Sequence, residues 1–214
     1  EIKNPLTPIQ LTIDRLKNKY SNQLNNENSK NFKENLKIIN NQIKQIENLV
    51  NEFSDFARMP KPIFKNNDLI KIINDNIKFL SQIDPTIKLN FISNDSEILL
   101  ESDKEQINRV FLNLIKNSIE SIQQKAENHS NFDKIITIEI QEKNNQIYII
   151  IIDNGTGFGI FKNNVNEILN PYVTTKKNGT GLGLSIVNKI INDHNGKLKF
   201  IPIPDGAKVE IIFN

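Results

Sequence analysis

Two stretches of the sequence place polar side chains where a ligand could bind. Asn113 and Asn117 stand four residues apart in a helical pattern, so both amides lie on one face of that helix. Asp153 ends the most hydrophobic run of the chain and is followed by Gly155 and Gly157. Each stretch also has an ordinary explanation. The asparagines could line a solvated helix face in an Asn-rich chain, and Asp-Asn-Gly could be a simple turn.

A third stretch, "NGTGLGLSIV" (178–187), places Gly179, Gly181 and Gly183 just before an apolar helical pattern. Backbone N–H groups at a helix N-terminus can bind phosphate. The spacing excludes the dinucleotide motif G-x-G-x-x-G, because Gly183 comes one residue too early and no strand precedes the stretch. The P-loop motif fits neither glycine region. The stretch therefore favours phosphate binding by a loop of a different class.

Strands and helices that would position these stretches follow from Pro60 onwards. Helices are expected over 68–80, 103–127 and 181–196, and strands over 87–93, 134–142, 146–153, 197–203 and 207–213. Asp103 is a good N-cap, and Gln106 completes a capping box with it. Adjacent antiparallel strands mixed with helices predict an α+β fold, a two-layer sandwich with helices on one face of a mixed sheet.

The first sixty residues show a heptad pattern instead. Apolar residues recur at alternating spacings of four and three in two runs: Ile2, Leu6, Ile9, Ile13, Leu16 and Tyr20, then Phe32, Leu36, Ile39, Ile43, Ile46, Val50, Phe53 and Ala57. The polar residues 21–30 are expected to be a loop, and "RMPKP" (58–62) ends the second helix. Because a lone hairpin leaves half of each seam in water, we expect a dimeric four-helix bundle. Packing of the hairpin on its own globular domain is the alternative.

The expected organisation is therefore a helical hairpin over residues 1–58, a linker over 59–66 and a globular domain over 67–214. The net charge is +2 with interspersed signs, which gives no case for binding nucleic acid or an anionic membrane. The chain has no cysteine, which excludes a disulfide, a thiolate metal site and a cysteine nucleophile. The longest apolar run, residues 147–152, is too short to span a bilayer.

Taken in order, these stretches resemble a known family. "NRVFLNLIKNSIESI" (108–122), "DNGTGF" (153–158) and "GTGLGLSIV" (179–187) resemble the N box and two glycine boxes of sensor histidine kinases, whose ATP-binding domain has the Bergerat fold shared with gyrase, Hsp90 and MutL. The hairpin is similar to their dimerisation and histidine-phosphotransfer domain. "EIKNPLTPIQL" (1–11), "NEFSDFARMPKP" (51–62) and "PYVTTKKNGTGLGLSIV" (171–187) most resemble the NtrY branch, which regulates nitrogen metabolism.

The resemblance implies ATP and Mg²⁺ as cofactors and assigns roles to individual residues. Asp153 would accept a hydrogen bond from the adenine amino group, Asn117 would bind Mg²⁺, and Asn113 would orient phosphate or metal-bound water. Residues 159–178 would form a mobile lid, with Lys176 or Lys177 meeting the phosphates. The remaining nucleotide-binding residues implied by the resemblance are Gly155, Gly157, Thr174, Thr175, Gly179, Thr180, Gly181, Leu182 and Gly183.

The family motif H-E-x-x-N-P places Glu1 directly after the phosphoacceptor histidine, so the chain would begin one residue too late to contain it. Glu1 would accept the second N–H of that ring, and Asn4 would orient water during dephosphorylation of a response regulator. Pro5 would supply a helix kink. His129 and His194 are not acceptor candidates, and for His194 near a helix C-terminus we expect a cation or capping role.

The resemblance also implies partners and a location: a homodimer, a response-regulator receiver domain, and the cytoplasmic part of a bacterial inner-membrane sensor kinase. Some positions depart from the family pattern. Glu120 stands where many members have Lys or Arg, Asn170 replaces a Glu, and Asn195 replaces a Gly. A non-catalytic ATP-binding module or a response-regulator phosphatase is the main alternative. A gyrase-like ATPase would need an acidic base where Asn113 stands, and a Bergerat serine kinase would lack the hairpin.

Overall fold

The structure is a computed structural model. It describes residues 6–20, 26–129, 131–159, 161, 164–176 and 179–214, and of residues 26 and 27 the backbone only. The chain forms two compact units. The first comprises Glu1–Met59 with Thr175–Thr180, and the second comprises Pro60–Thr174 with Gly181–Asn214. Within the described residues, no helix is both long enough and apolar enough to cross a membrane.

Two helices dominate the first unit, α1 (Leu6–Tyr20) and α2 (Asn26–Ala57). Their shared core consists of Leu6, Ile13, Leu36 and Ile43, with Phe32 packed against it. The hairpin prediction is confirmed, but the loop predicted over 21–30 is wrong for residues 26–30, which belong to α2. This first turn of α2 is polar on every side, so apolar periodicity could not reveal it. It extends a helix whose stability comes from the packed turns that follow.

The second unit is a two-layer sandwich, which confirms the predicted fold class. Its helices are α3 (Leu69–Leu80), α4 (Lys104–Asn128) and α5 (Gly183–Asp193), with a 3₁₀ helix at Val165–Leu169. Its strands are β1 (Lys65–Asp68), β2 (Lys88–Ser93), β3 (Leu99–Ser102), β4 (Ile135–Lys143), β5 (Gln146–Asp153), β6 (Lys197–Pro202) and β7 (Ala207–Phe213).

The main sheet has the order β2-β4-β5-β7-β6. The β2–β4 pair is parallel and the other pairs are antiparallel, so the sheet is mixed. Burial alternates along β4 and β5, where Ile136, Ile138, Ile149 and Ile151 are buried and their neighbours are partly exposed. This alternation is expected when helices cover one face of a sheet. The small β1–β3 ladder was not predicted.

The start of α4 differs from the predicted capping box. Asp103 Oδ1 accepts from the N–H groups of Glu105 and Gln106, as an N-cap should. The Gln106 side chain donates to the carbonyl of Pro60 instead of returning to Asp103. The Asp103 N–H is already occupied, because it donates to His194 Nε2 at 3.0 Å.

His194 is buried at the C-terminus of α5. Its Nε2 accepts the Asp103 N–H, and its Nδ1 lies 2.8 Å from the carbonyl oxygen of Ile190, to which it must donate. The His194 side chain therefore caps a carbonyl of the last turn of α5, which confirms the predicted capping role.

Candidate functional site

Asp153 is the centre of the site. It ends β5 and is only 5% exposed. Its Oδ1 accepts the N–H of Gly155 at 3.0 Å, and its Oδ2 accepts the hydroxyl of Ser118 at 2.9 Å. Burial raises the pKa of Asp153, while the amides of Gly155 and Ala207 and the Ser118 hydroxyl oppose that rise. A carboxylate so enclosed is suited to accepting one directed hydrogen bond from a ligand.

The loop after Asp153 lies between α4 and the β6–β7 hairpin. A Cβ on Gly155 would come within 2.7 Å of the Ser121 carbonyl carbon, so only glycine lets this loop approach α4. Gly157 has φ +69°, and a Cβ there would lie 2.6 Å from the carbonyl oxygen of Gly206. Both predicted glycines therefore stand where a side chain would not fit.

Gly206 is a site residue that the sequence did not reveal. Its φ is +105°, and a Cβ there would overlap the carbonyl oxygen of Asp153. In the sequence, "PDG" (204–206) lies between two strand patterns and indicates only an ordinary hairpin turn. The signal for a second role is visible only once β7 is paired beside β5, where Ala207 is opposite Asp153.

Asn113 and Asn117 lie on α4, four residues apart as predicted. Asn113 Nδ2 donates to the carbonyl of Arg109, and its Oδ1 lies 3.3 Å from where a Cβ of Gly183 would stand. The side of α4 that bears Asn113 therefore faces the start of α5. Asn117 is half-buried one turn further along, next to Ser118.

Helix α5 begins at Gly183, and the buried Leu182 precedes it. The first-turn N–H groups of a helix have no acceptor within that helix, and the helix dipole makes its N-terminus favourable for anions. Gly181 has φ +72° and packs on the backbone of Tyr172, whose N–H donates to the Gly181 carbonyl. These contacts hold the glycine stretch in the conformation that starts α5 beside Asn113.

Lys125 is a second residue that sequence reasoning missed. Its Nζ donates to the carbonyl of Asn154 at 2.8 Å, pairs with Asp205, and lies 4.9 Å from the centre of the Phe132 ring. This ammonium group links α4, the loop after β5 and the β6–β7 hairpin. Its charge also opposes the rise in the pKa of Asp153.

The predicted site residues divide between the two units. Asn113, Asn117, Asp153, Gly155, Gly157, Thr174, Gly181, Leu182 and Gly183 belong to the second unit. Thr175, Lys176, Gly179 and Thr180 fall within the first unit, where the Thr180 hydroxyl donates to the carboxylate of Glu52 on α2. Glu1, Asn4, Pro5 and Lys177 lie outside the described residues.

The side chains near Asp153 indicate how a metal ion could be bound there. Among the described residues, no group of three or more His, Cys, Asp or Glu side chains could hold an ion. Asn117 offers an amide oxygen, which is a hard ligand of the kind that Mg²⁺ accepts. Mg²⁺ commonly binds through one or two protein ligands together with substrate phosphates and water. The residues present fit that mode of binding and do not fit a closed protein cage.

Two family models match the sequence. One, described as histidine kinase-, DNA gyrase B- and HSP90-like ATPase, matches residues 102–214. The other, described as the His Kinase A phospho-acceptor domain, matches residues 1–62.

Curated relatives match the whole chain. It is 36% identical over 215 residues to a putative NtrY-like sensor histidine kinase of Rickettsia prowazekii, covering 100% of this chain and 34% of the relative. It is 35% identical over 210 residues to the nitrogen regulation protein NtrY of Azorhizobium caulinodans, covering 96% of this chain and 26% of the relative. The chain thus spans about a third or less of these relatives' length.

Solved structures share the fold. The histidine kinase ThkA, in a complex with the response regulator protein TrrA, superimposes with a TM-score of 0.69 at 24% identity, over 100% of this chain and 58% of that chain. Full-length ShkA in complex with AMPPNP gives a TM-score of 0.68 at 17% identity, over 99% of this chain and 43% of that chain.

Proposed function

This chain belongs to the sensor histidine kinase family, and we propose that it is the kinase core of a two-component system. It binds Mg-ATP in the second unit and transfers the γ-phosphoryl group to a histidine, which the family motif places directly before Glu1. The phosphoryl group then passes to an aspartate of a response regulator. In this proposal residues 1–58 are the phosphotransfer hairpin, 59–66 the linker and 67–214 the catalytic domain.

The main observation behind this proposal is the buried carboxylate of Asp153. A buried carboxylate is costly unless its oxygens are hydrogen-bonded, and here Oδ1 accepts the Gly155 amide and Oδ2 the Ser118 hydroxyl. A carboxylate oxygen can accept more than one hydrogen bond, so capacity remains for a ligand. The exocyclic amino group of adenine is a donor of the right kind.

The phosphates would lie between α4 and the start of α5. The amides of the first α5 turn would donate to phosphate oxygens, and the Asn117 amide oxygen would coordinate Mg²⁺. The bound ion would neutralise charge on the β- and γ-phosphates. Asn113, which lies beside Gly183, would orient a phosphate oxygen or a metal-bound water.

Residues 159–178, which include Thr174, Thr175 and Lys176, would close over the triphosphate as a lid. Gly179 would belong to its hinge, and Thr180 would contact phosphate oxygens. Glu1 would accept the ring N–H of the acceptor histidine and raise the nucleophilicity of the other nitrogen. Asn4 would position water for the reverse, dephosphorylating reaction.

The hairpin would form a homodimer, since several heptad residues on its outer side are exposed. The phosphorylated hairpin would dock a response-regulator receiver domain, just as ThkA forms a complex with the response regulator protein TrrA. Sensor and inner-membrane segments would precede the hairpin in the full-length protein, leaving this part in the cytoplasm.

The decisive experiment uses the full-length protein with Mg²⁺ and γ-labelled ATP. We expect label that is acid-labile and base-stable, and that disappears when the histidine before Glu1 is replaced. Asp153→Ala should weaken ATP binding about tenfold to a hundredfold, because a hydrogen bond to a charged group is lost. Asp95→Ala, which removes an exposed carboxylate, is the matched control and should leave binding unchanged. ATP binding without labelling would replace the kinase proposal with a nucleotide-gated phosphatase.

A further inference from the structure

Two serines on α4 contact the end of β5 and the loop that follows it. Ser118 is buried, and its hydroxyl donates to Asp153 Oδ2 at 2.9 Å. Ser121, one turn further along, accepts the N–H of Thr156 at 3.0 Å and lies 3.2 Å from the Thr156 hydroxyl. Ser118 thus contacts a group that can titrate, whereas Ser121 contacts only the loop after β5.

The direction of the Ser118 hydrogen bond depends on the state of its partner. An ionised carboxylate can only accept, so the serine donates its hydrogen to Oδ2. The Gly155 amide occupies one acceptor position of Oδ1 in the same way. These donors help to fix the plane of the carboxylate and to determine which lone pairs remain for a ligand.

We propose that Ser118 is a positioning residue that sets nucleobase specificity, holding Asp153 as an oriented acceptor for an exocyclic amino group. This inference rests on the proposed function, in which Asp153 contacts adenine. A base with a carbonyl oxygen at the same position would place one hydrogen-bond acceptor against another, the carboxylate of Asp153, and would therefore be rejected. If Asp153 were protonated, it could donate to that carbonyl, and the discrimination would fall.

The groups packed around Asp153 indicate that the Ser118 hydroxyl contributes substantially to keeping this carboxyl group an acceptor. On α4 the charged neighbour is Lys125, whose ammonium group is shared between the Asn154 carbonyl and Asp205 of the β6–β7 hairpin. The adjacent strands present Ile136 and Ala207 opposite Asp153, and neither side chain is charged. Burial raises the pKa of Asp153, and the Ser118 hydroxyl is the one side-chain hydrogen bond among the opposing causes. Its removal should therefore raise that pKa further.

The test combines two measurements on the full chain with Ser118→Ala, Ser121→Ala and Ser118→Thr. The pKa of Asp153 is followed by carbon NMR of its carboxyl group without nucleotide. Binding of ATP and of inosine triphosphate, which has a carbonyl oxygen in place of the adenine amino group, is measured by calorimetry. We expect Ser118→Ala to raise the pKa of Asp153 and to weaken ATP binding about tenfold.

In the same variant, the preference for ATP over inosine triphosphate should fall. Ser121→Ala should move neither the pKa of Asp153 nor the preference. Ser118→Thr, which keeps the hydroxyl, should restore both. An unchanged pKa and preference in Ser118→Ala, or equal effects of the two alanine variants, would overturn the inference. If the wild-type protein binds no ATP, the proposed function itself fails, and that result is distinct from any difference between the serine variants.

Discussion

The two units bury apolar surface in different ways. In the hairpin, the described core has four members, which fall seven residues apart on each helix: Leu6 and Ile13 on α1, Leu36 and Ile43 on α2. Other heptad positions of the two helices are exposed: Ile9, Leu16, Tyr20, Ile39, Ile46 and Phe53. In the second unit, by contrast, apolar side chains of the sheet and of three helices fill a closed core.

This difference shows where each unit finds its stability. Some apolar side chains of the heptad seam are buried within the hairpin. The others are exposed, and a second copy of the same hairpin would cover them. The described buried residues of the hairpin are all apolar, whereas the second unit also buries Asp153, Ser118 and His194. The hairpin thus leaves exposed the apolar side chains that the proposed homodimer would cover, and the second unit encloses its polar groups within one chain.

The largest effect should come from a change inside the second unit. Gly206→Ala places a Cβ against the Asp153 carbonyl oxygen at φ +105°, and two strands would have to move to admit it. We expect a loss of about 3 kcal/mol in the free energy of unfolding, together with loss of ATP binding. Gly159→Ala is the matched control, since its φ is also positive but a Cβ there meets open space; it should cost about 1 kcal/mol. Equal losses in urea unfolding would show that the close approach is unimportant.

A smaller effect on folding, but a large one on association, is expected from the exposed half of the seam. Ile39→Glu combined with Ile46→Glu would place four charges in the dimer interface, where unpaired charges are strongly disfavoured. We expect the dissociation constant, measured by sedimentation equilibrium, to rise about a hundredfold or more.

The matched control for the seam is Ile38→Glu, which alters a residue on the same helix that is 58% exposed and outside the heptad pattern. It should leave association nearly unchanged. If both variants dissociate the dimer alike, the interface does not follow the heptad seam.

Local patterns predicted most of the architecture. The hairpin, α3, α4 and the β4–β5 hairpin each follow from a periodicity that is complete within one stretch of sequence. The two-residue turn of that β hairpin, Asn144-Asn145, has positive φ at both residues, as its asparagines favour. Strands β1 and β3 were missed because each has four residues, and "KNND" (65–68) shows no alternation. Only their pairing with each other defines them.

The residues of the candidate site differ in the same way, since some follow from local sequence and others from distant contacts. Residue type and spacing made Asp153 and the glycines beside it candidates, and the family resemblance gave them their predicted roles, whereas Ser118 and Gly206 act through partners that are distant in sequence. Ser118 meets Asp153 across 35 positions. Gln106 was assigned to a capping box by its spacing, but His194, 91 positions after Asp103, had already taken the donor it needed. Such competition between local and distant partners cannot be read from one stretch of sequence.

The smallest effect should come from neutralising the buried charge of the second unit. Burial raises the pKa of Asp153 in the folded state above its value in the unfolded chain. The folded protein therefore binds more protons than the unfolded chain between those two values, and stability falls as pH rises through that window. Asp153→Asn removes this cost, so its melting temperature should exceed that of the wild type by a few degrees at pH 7, without nucleotide. The difference should vanish below the unfolded pKa of Asp153, where residue 153 is neutral in both the wild type and the variant.

The same variant should lose affinity for ATP, which would show that the charge is kept for binding at the expense of stability. A wild-type protein that melts higher than the variant at pH 7 would instead mean that the hydrogen bonds of Ser118 and Gly155 more than offset burial.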